Sequence, residues 1–307
     1  MVLDAHSTDW LTPVEPHEAR LYKRDDLFMP FADVPLSGGK VRQAMLLLSH
    51  ARDEIVEQYG GVVLTATGVH SPQGLIIARV CRALELQCVI FLGATTAGGA
   101  LMRHAMLRHA VAAGATLDAR ARVAYEPALM RAVEQWRTEH DDAGWLVRFG
   151  INLEGDRDAI IGSTAEQVRN VPDSVRTIVI PTGAGITAAG VIAGAEQYAP
   201  RARVVVVQIA GYDRRALIDR LVSSSDQYDY VPLDGVPYSR HVVRSVSGVT
   251  LDPIYEAKAH DWMIEHTAHD ERVLFWIVGD STRVRAHTAR DHPPPRGAAQ
   301  RVTAAHA

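Results

Sequence analysis

Cysteine is nearly absent from this chain: 307 residues contain 2, Cys81 and Cys88. Two thiols that close together on an apolar stretch make no disulfide framework. They read as small buried hydrophobes in a reducing compartment. Lysine is almost as scarce, with only Lys23, Lys40 and Lys258 among the 32 lysines and arginines. Codon composition accounts for the arginine bias, but it leaves lysine chemistry three candidates. Long apolar runs are missing too. Stretches such as 177–180 and 204–207 are far too short to span a bilayer. The opening MVLDAHSTDW has no apolar core, so it is not read as a secretory signal, and a cytoplasmic protein is the expectation. A basic excess is also lacking: the net charge is −4 from 32 basic and 36 acidic residues. That favours neither nucleic acid nor a membrane surface as a partner. With 47% hydrophobic and 22% charged residues the chain supports a sizeable core. Its length suits one large or two medium domains.

Short apolar strands alternate with amphipathic stretches. Strands are expected at 61–65, 88–92, 145–149, 175–180, 203–209 and 273–278. Helices are expected over 73–86, 99–113, 126–140, 157–170 and from about 186 to 198. Continuous apolar strands separated by helices imply parallel sheets covered on both faces, an α/β fold. The segment 223–247 reads as polar and irregular, and the Pro-, Ala-, Arg- and His-rich tail 288–307 as disordered. The expected domains are a larger one from 1–45 and 150–287 and a smaller inserted one from 46–149.

Four stretches carry chemistry. Thr182-Gly183-Ala184-Gly185-Ile186-Thr187 follows a strand and opens a helix, where small residues let backbone N–H groups converge on a phosphate. It is neither a P-loop nor the dinucleotide fingerprint, and a plain tight turn is the alternative. Ser37-Gly38-Gly39-Lys40-Val41-Arg42 places a lysine behind two glycines at the start of an apolar helix, just after Lys23-Arg24-Asp25-Asp26. A desolvated lysine has a lowered pKa and can form a Schiff base. Thr65-Ala66-Thr67-Gly68-Val69-His70-Ser71-Pro72-Gln73-Gly74 offers hydroxyls and N–H groups at a helix start, a seat for a carboxylate or simply a capped turn. Leu251-Asp252-Pro253-Ile254-Tyr255-Glu256-Ala257-Lys258 starts a helix at Asp252-Pro253. No metal site is expected: His104 and His109 are off one another's face, and His266 and His269 read as exposed polar residues. Ser71 lacks a nucleophile-elbow context.

In order and spacing the set resembles the fold-type II pyridoxal-phosphate enzymes. Within them it is similar to the branch of 1-aminocyclopropane-1-carboxylate deaminase and D-cysteine desulfhydrase. That branch reads K-R-[DE]-D, G-G-N-K-x-R, Q-S-N-Q, T-G-S-G-G-T and D-P-V-Y-[ET]-G-K. This chain reads KRDD, SGGKVR, HSPQ, TGAGIT and DPIYEAK over about 21–279. The resemblance implies a two-domain fold of the tryptophan synthase β type, with pyridoxal 5'-phosphate in the cleft. Lys40 would be the Schiff-base lysine, and Thr182 to Thr187 would hold the phosphate. Ser71, Gln73 and His70 would lie by the substrate carboxylate, with Tyr255 and Tyr238 near the reacting carbons. Glu256 would face the pyridine nitrogen and keep it protonated. It also implies a homodimer. The departures are Pro72 and Gly39 where the family has asparagine, Ile186 for a loop glycine, Val278-Gly279-Asp280 where a glycine pair is common, and a shorter stretch between Tyr238 and Asp252.

The leading expectation is thus a lyase or deaminase acting at the α- or β-carbon of a small amino acid by deamination, β-elimination or ring opening. A second is the same cofactor applied to an amino acid joined to a carrier or nucleotide. A third is a non-catalytic cofactor-binding protein.

Overall fold

A computed structural model describes residues 10–94, 98–151, 157–209, 213–246, 248–270, 272–286 and 302–303. The chain runs β1 (Val14–His17), β2 (Arg20–Arg24), α1 (Gly39–His50), α2 (Arg52–Gln58), β3 (Val62–Gly68), α3 (Gln73–Ala83), β4 (Gln87–Gly93), α4 (Ala105–Ala112), β5 (Thr116–Asp118), α5 (Glu126–Glu139) and β6 (Trp145–Val147). It continues through α6 (Arg157–Glu166), β7 (Thr177–Thr182), α7 (Ile186–Tyr198), β8 (Arg203–Gln208), α8 (Arg215–Leu221), β9 (Tyr228–Pro232), β10 (Ser245–Val246), β11 (Val249–Thr250), α9 (Glu256–His266), β12 (Val273–Ile277), α10 (Ser281–Ala286) and β13 (Val302–Thr303). It divides into two compact units. One takes the described residues of 5–43 and 156–283, the other those of 44–155 and 284–307.

The first unit is built on a six-stranded sheet in the order β1-β2-β12-β7-β8-β9. Only the β1–β2 pair is antiparallel. Alternate residues feed two cores. Leu21, Ile178, Ile180, Val204, Val206, Leu274 and Trp276 pack with Ala188, Val191 and Ile192 of α7 and Ile218 of α8. Tyr22, Val179, Val205, Val207, Phe275 and Ile277 face Ala257, Ala259 and Met263 of α9 on the other side. Burial on both faces explains why these strands read as continuous apolar runs. β7 runs on through Pro181, which pairs opposite Val207. The β12 ladder stops at Val179, so the proline lies beyond it.

The second unit holds a five-stranded parallel sheet, β13-β5-β4-β3-β6. Leu64, Ala66, Val89 and Phe91 pack against Leu129, Ala132 and Val133 of α5. On the other face α3 comes so close that a Cβ on Gly74 would lie 3.2 Å from Ile90. Cys81 and Cys88 are free and buried, as expected. The tail read as disordered supplies the two residues of β13, opposite Leu117 and Asp118; the rest of it lies outside the described residues. The helix expected over 99–113 is instead a 3-10 turn at Gly98–Arg103 followed by α4, because His104 is extended (φ −81, ψ 118). Among the described residues no helix is long and apolar enough to cross a membrane.

His260 on α9 makes the first unit acid-sensitive. Its Nε2 lies 3.2 Å from the Tyr22 hydroxyl, whose pKa burial raises to about 12. The bond joins a neutral phenol to a neutral imidazole. Burial lowers the His260 pKa to about 4, against opposing help from Asp261 and further lowering by Arg20, Arg244 and His17. In the unfolded chain it is about 6.5. As pH falls through that window the unfolded state takes up the proton first. Stability is therefore complete above about pH 6.5 and drops by up to about 3 kcal/mol on the way to pH 4. Thermal unfolding from pH 7 to pH 4 should show this loss, and a His260→Phe variant should flatten the slope.

Candidate active site

β2, β12, β7 and β8 are parallel, so their carboxyl ends, at Arg24, Ile277, Thr182 and Gln208, lie along one edge of the sheet. Such an edge is where open α/β sheets bind ligands. The candidate residues of the first unit gather there.

Lys23-Arg24-Asp25-Asp26 is almost wholly buried. The Lys23 amine donates to the Thr12 carbonyl and to Asn170 Oδ1, both at 2.7 Å. Burial lowers its pKa to about 7, with Asp25 opposing. Asp25 accepts from Thr12 (2.9 Å), Arg42 (3.2 Å) and the Trp276 indole (3.2 Å). Asp26 takes both the Nε and an Nη of Arg24. A buried charge is tolerated only with such partners. The motif is a foundation for the turn that follows.

That turn is Ser37-Gly38-Gly39-Lys40. Gly38 has φ +102 and donates to the Phe28 carbonyl at 3.0 Å. Gly39 donates to the Val278 carbonyl at 3.1 Å. A Cβ on Gly38 would meet that same carbonyl oxygen at 2.2 Å, so only glycine lets the turn lie on the end of β12. Lys40 then stands in the first turn of α1. It keeps some accessible surface, but burial of its amine lowers the pKa below the usual lysine value. Gln43, one turn on, reaches Thr164 (3.1 Å) and Thr187 (3.4 Å) through its Nε2. This ties the lysine's helix to the start of α7.

Thr182 ends β7, Gly183 to Gly185 form the turn, and Ile186 and Thr187 open α7. Gly185 sits at the cap with φ +93. The first carbonyl of the helix to be used is that of Gly185, by the Ala189 N–H. Among the described residues the amides of Ala184 to Ala188 have no backbone acceptor. This is the donor cluster an anion needs at a helix start. A Cβ on Gly183 would lie 2.8 Å from the Tyr255 ring. The Tyr230 hydroxyl, from a segment read as irregular, donates to Gln208 Oε1 beside this loop.

Tyr255 precedes α9, and its hydroxyl lies 3.0 Å from that of Tyr238. Burial, then the neighbouring Tyr238, pushes its pKa well above the usual phenol range. Tyr238 is 47% exposed. Glu256 accepts from the Asp252 N–H (2.8 Å) and the Gly279 N–H (3.0 Å), joining the start of α9 to the end of β12. Burial, reinforced by Asp252, raises its pKa well above the carboxylate range. The carboxyl group that the resemblance implies is thus fully buried and held on both oxygens. Asp252 caps the turn, accepting from Ile254 (2.9 Å) and Tyr255 (3.0 Å).

Ser71, Gln73 and His70 belong to the second unit. Gln73 was expected at a substrate carboxylate, but its side chain is committed to the fold. Its Nε2 donates to Thr65 Oγ1 and the Arg148 carbonyl, each at 3.0 Å, and its Oε1 accepts from the Gly150 N–H at 2.8 Å. Ser71 Oγ accepts from the Gln73 N–H at 3.3 Å, and Pro72 takes the cap position of α3. His70 meets His104 ring edge to face, 4.9 Å between centroids. No group of three metal-ligating side chains occurs among the described residues.

The motifs leave three supporting residues unmarked. Gln43 was legible as the i+3 neighbour of Lys40, whereas Asn170 and Tyr230 carry no local signal. A cleft of about 340 Å³ lies at the opposite edge of the sheet, among Arg176, Arg203, Trp262 and Arg272. It touches none of the candidate residues.

The assembled groups fit pyridoxal phosphate. A desolvated amine stands on a helix tied to Thr187. A row of amides follows β7, and the Gly183 surface, free of a Cβ, lies against a phenol.

Comparison with known proteins agrees. The family model described as pyridoxal-phosphate dependent enzyme matches residues 15–231, more than half of the chain. A glycyl-dTMP PLP-dependent decarboxylase of Pseudomonas phage M6 is 26% identical over 292 residues, covering 88% of this chain and 98% of that protein. A bifunctional D-cysteine desulfhydrase/1-aminocyclopropane-1-carboxylate deaminase of Arabidopsis thaliana is 25% identical over 293 residues, covering 86% and 71%. The crystal structure of an ACC deaminase homologue superposes with a TM-score of 0.70 at 19% identity, covering 91% of this chain and 92% of that one. At that identity the likeness speaks for the fold alone.

Proposed function

Because the chain belongs to the pyridoxal-phosphate dependent enzymes, we propose that it is a lyase or deaminase that acts at the α- or β-carbon of an amino acid, with Lys40 as the amine bonded to the cofactor's aldehyde. The observation that carries this is the placement of Lys40. Its amine is desolvated, and the helix it opens is tied through Gln43 to Thr187 of the amide-rich turn. Bound pyridoxal phosphate supplies an electron sink for charge developing at the substrate's α-carbon. The chain's own groups supply the rest. The amides of Gly183 to Thr187 hold the phosphate. The lowered pKa makes Nζ of Lys40 easier to deprotonate than an ordinary lysine, as a group that takes and returns a proton must be. Tyr255 stays a neutral phenol that donates a hydrogen bond at its hydroxyl. Glu256, held on both oxygens by the Asp252 and Gly279 N–H groups, would face the cofactor's ring nitrogen and favour its protonated form. Ser71 is the proposed carboxylate contact. A homodimer in the cytoplasm, with a cofactor domain from 1–45 and 150–287 and an inserted domain from 46–149, completes this reading.

A second reading is an amino acid joined to a nucleotide. The similarity to the phage glycyl-dTMP decarboxylase supports it, since it spans 98% of that protein. So does the exposure of Tyr238 and Val243 on the shortened segment before Asp252.

One experiment tests both. The visible absorbance of the purified, cofactor-loaded protein is recorded before and after adding a panel of D- and L-amino acids and glycyl-dTMP. A band that shifts with a free amino acid, with ammonia released, supports the first reading. A shift confined to glycyl-dTMP, with carbon dioxide released, supports the second. A band indifferent to every compound leaves a protein that binds the cofactor without turnover and overturns both.

A further inference from the structure

Lys258 has no part in the chemistry above, yet it occupies an expensive position. It stands in the first turn of α9 and is 4% exposed. Its Nζ donates to two backbone carbonyls, those of Pro237 and Tyr238, each at 2.9 Å. Neither acceptor is charged. Burial lowers its pKa, with the charge of Asp252 opposing and that of Arg240 adding to the fall. A methionine would fill the same volume with no ammonium to desolvate. The position is therefore poor value as packing, and the two hydrogen bonds are what distinguish lysine there.

Those bonds hold the middle of an irregular segment, around Tyr238. Residues 233–244 form no helix or strand, and much of the stretch is exposed, with Val243 at 75%. Its ends are tied by the Leu233 N–H to the Gln208 carbonyl (3.1 Å) and the Leu251 N–H to the Arg244 carbonyl (3.0 Å), and between them run the Arg240 N–H to the Pro237 carbonyl at 3.0 Å and the Val242 N–H to the Pro253 carbonyl at 2.9 Å. From this segment Tyr238 points its hydroxyl to within 3.0 Å of Tyr255, and the two rings meet edge to face. Tyr255 in turn lies on Gly183, in the amide-rich turn. A continuous chain of contacts runs from the Lys258 ammonium through the 237 and 238 carbonyls to the paired phenols and the cofactor loop.

We propose that Lys258 is a positioning residue that holds the Tyr238 phenol against Tyr255 at the edge of the cofactor loop. Losing the ammonium leaves the 238 carbonyl to water and the 237 carbonyl with the Arg240 N–H alone, and frees the phenol to swing into solvent. The inference goes beyond the proposed function. Only its kinetic arm rests on that reading, because it needs a compound that the enzyme turns over.

The test uses the full cofactor-loaded chain as wild type, Lys258→Met, Lys258→Arg, Tyr238→Phe and the Lys258→Met/Tyr238→Phe double variant. The first readout is amide hydrogen exchange. Loss of charge-assisted bonds to two carbonyls should speed exchange over residues 238–242 at least about tenfold in Lys258→Met. Exchange in β7 and β8 should stay unchanged, and Lys258→Arg should restore most of the protection. The second readout is kinetic, on whichever panel compound shifts the visible band. Lys258→Met and Tyr238→Phe should lower kcat by similar factors with KM nearly constant, and the double variant should be no slower than the worse single one. If Lys258→Met does not fold, Lys258→Gln, which has a shorter, uncharged donor group, takes its place. Protection of 238–242 within about twofold of wild type would overturn the proposal. So would rate losses that multiply in the double variant. If no panel compound reacts, the proposed function fails, and the exchange arm alone still decides the role of Lys258.

Discussion

Replacing Lys40 with alanine should abolish the visible absorbance of bound pyridoxal phosphate and lower turnover by at least about 10²–10⁴-fold, the usual loss when a positioned proton-transfer group is removed. The covalent attachment goes with it, so the cofactor should wash out on gel filtration. The other two lysines are the control. The Lys23 amine is fully engaged by Thr12 and Asn170. In Lys23→Met the Thr12 carbonyl keeps the Asn170 Nδ2 donor at 2.9 Å, so the fold should survive. Lys258 is spent on the carbonyls of 237 and 238. Both Lys23→Met and Lys258→Ala should stay yellow. With three lysines in the chain, the comparison is exhaustive. A band that persists in Lys40→Ala, or disappears in either control, would remove the central assignment.

How much of this was legible in the sequence depended on where partners lie along the chain. β3, β4, β7, β8 and β12 were legible because burial on both faces leaves continuous apolar runs. β2 was not. Its Arg20, Lys23 and Arg24 look like a surface strand, yet all five of its residues are buried. Part of what neutralises and hydrogen-bonds those side chains comes from Glu15, Asn170 and Thr267. A cation reads as exposed until such a partner is known. β9 was hidden for the opposite reason. It is an edge strand with Asp229 and Pro232, and it needs little apolar surface. The glycine turns and Lys40 were legible because backbone freedom and rare lysine are local properties. The role of Gln73 was not, because the three groups that occupy its amide, at Thr65, Arg148 and Gly150, come from two other parts of the chain. Motif order identified the loops. It did not separate a residue that faces a ligand from one that braces the loop.

Gly38→Ala should be the most damaging glycine substitution around the lysine, and a graded series shows why. At Gly60 the backbone has φ +66 but a Cβ would meet nothing within 4 Å. Alanine there should cost only the left-handed backbone term, about 1–2 kcal/mol. At Gly39 no positive φ is involved, and a Cβ would lie 3.1 Å from Asp25 Oδ2. The carboxylate can give a little, but it is held by Thr12, Arg42 and Trp276. At Gly38 both costs coincide. The φ is +102, and a Cβ would stand 2.2 Å from the Val278 carbonyl oxygen and 2.7 Å from the Gly279 Cα. Backbone cannot rotate away as a side chain can. The turn must lift off the end of β12, breaking the Gly39 N–H to Val278 bond. Strain and overpacking together should destabilise the first unit by about 3 kcal/mol or more. The displaced turn carries Lys40, so the loss should extend beyond stability. Urea unfolding should rank Gly38→Ala below Gly39→Ala and Gly60→Ala, and cofactor titration should show weaker binding for Gly38→Ala alone at temperatures where all three are folded. If Gly38→Ala unfolds like Gly60→Ala and binds the cofactor normally, the close approach of this turn to β12 does not set the position of the lysine. The site would then have to be held by α1 and Gln43 instead.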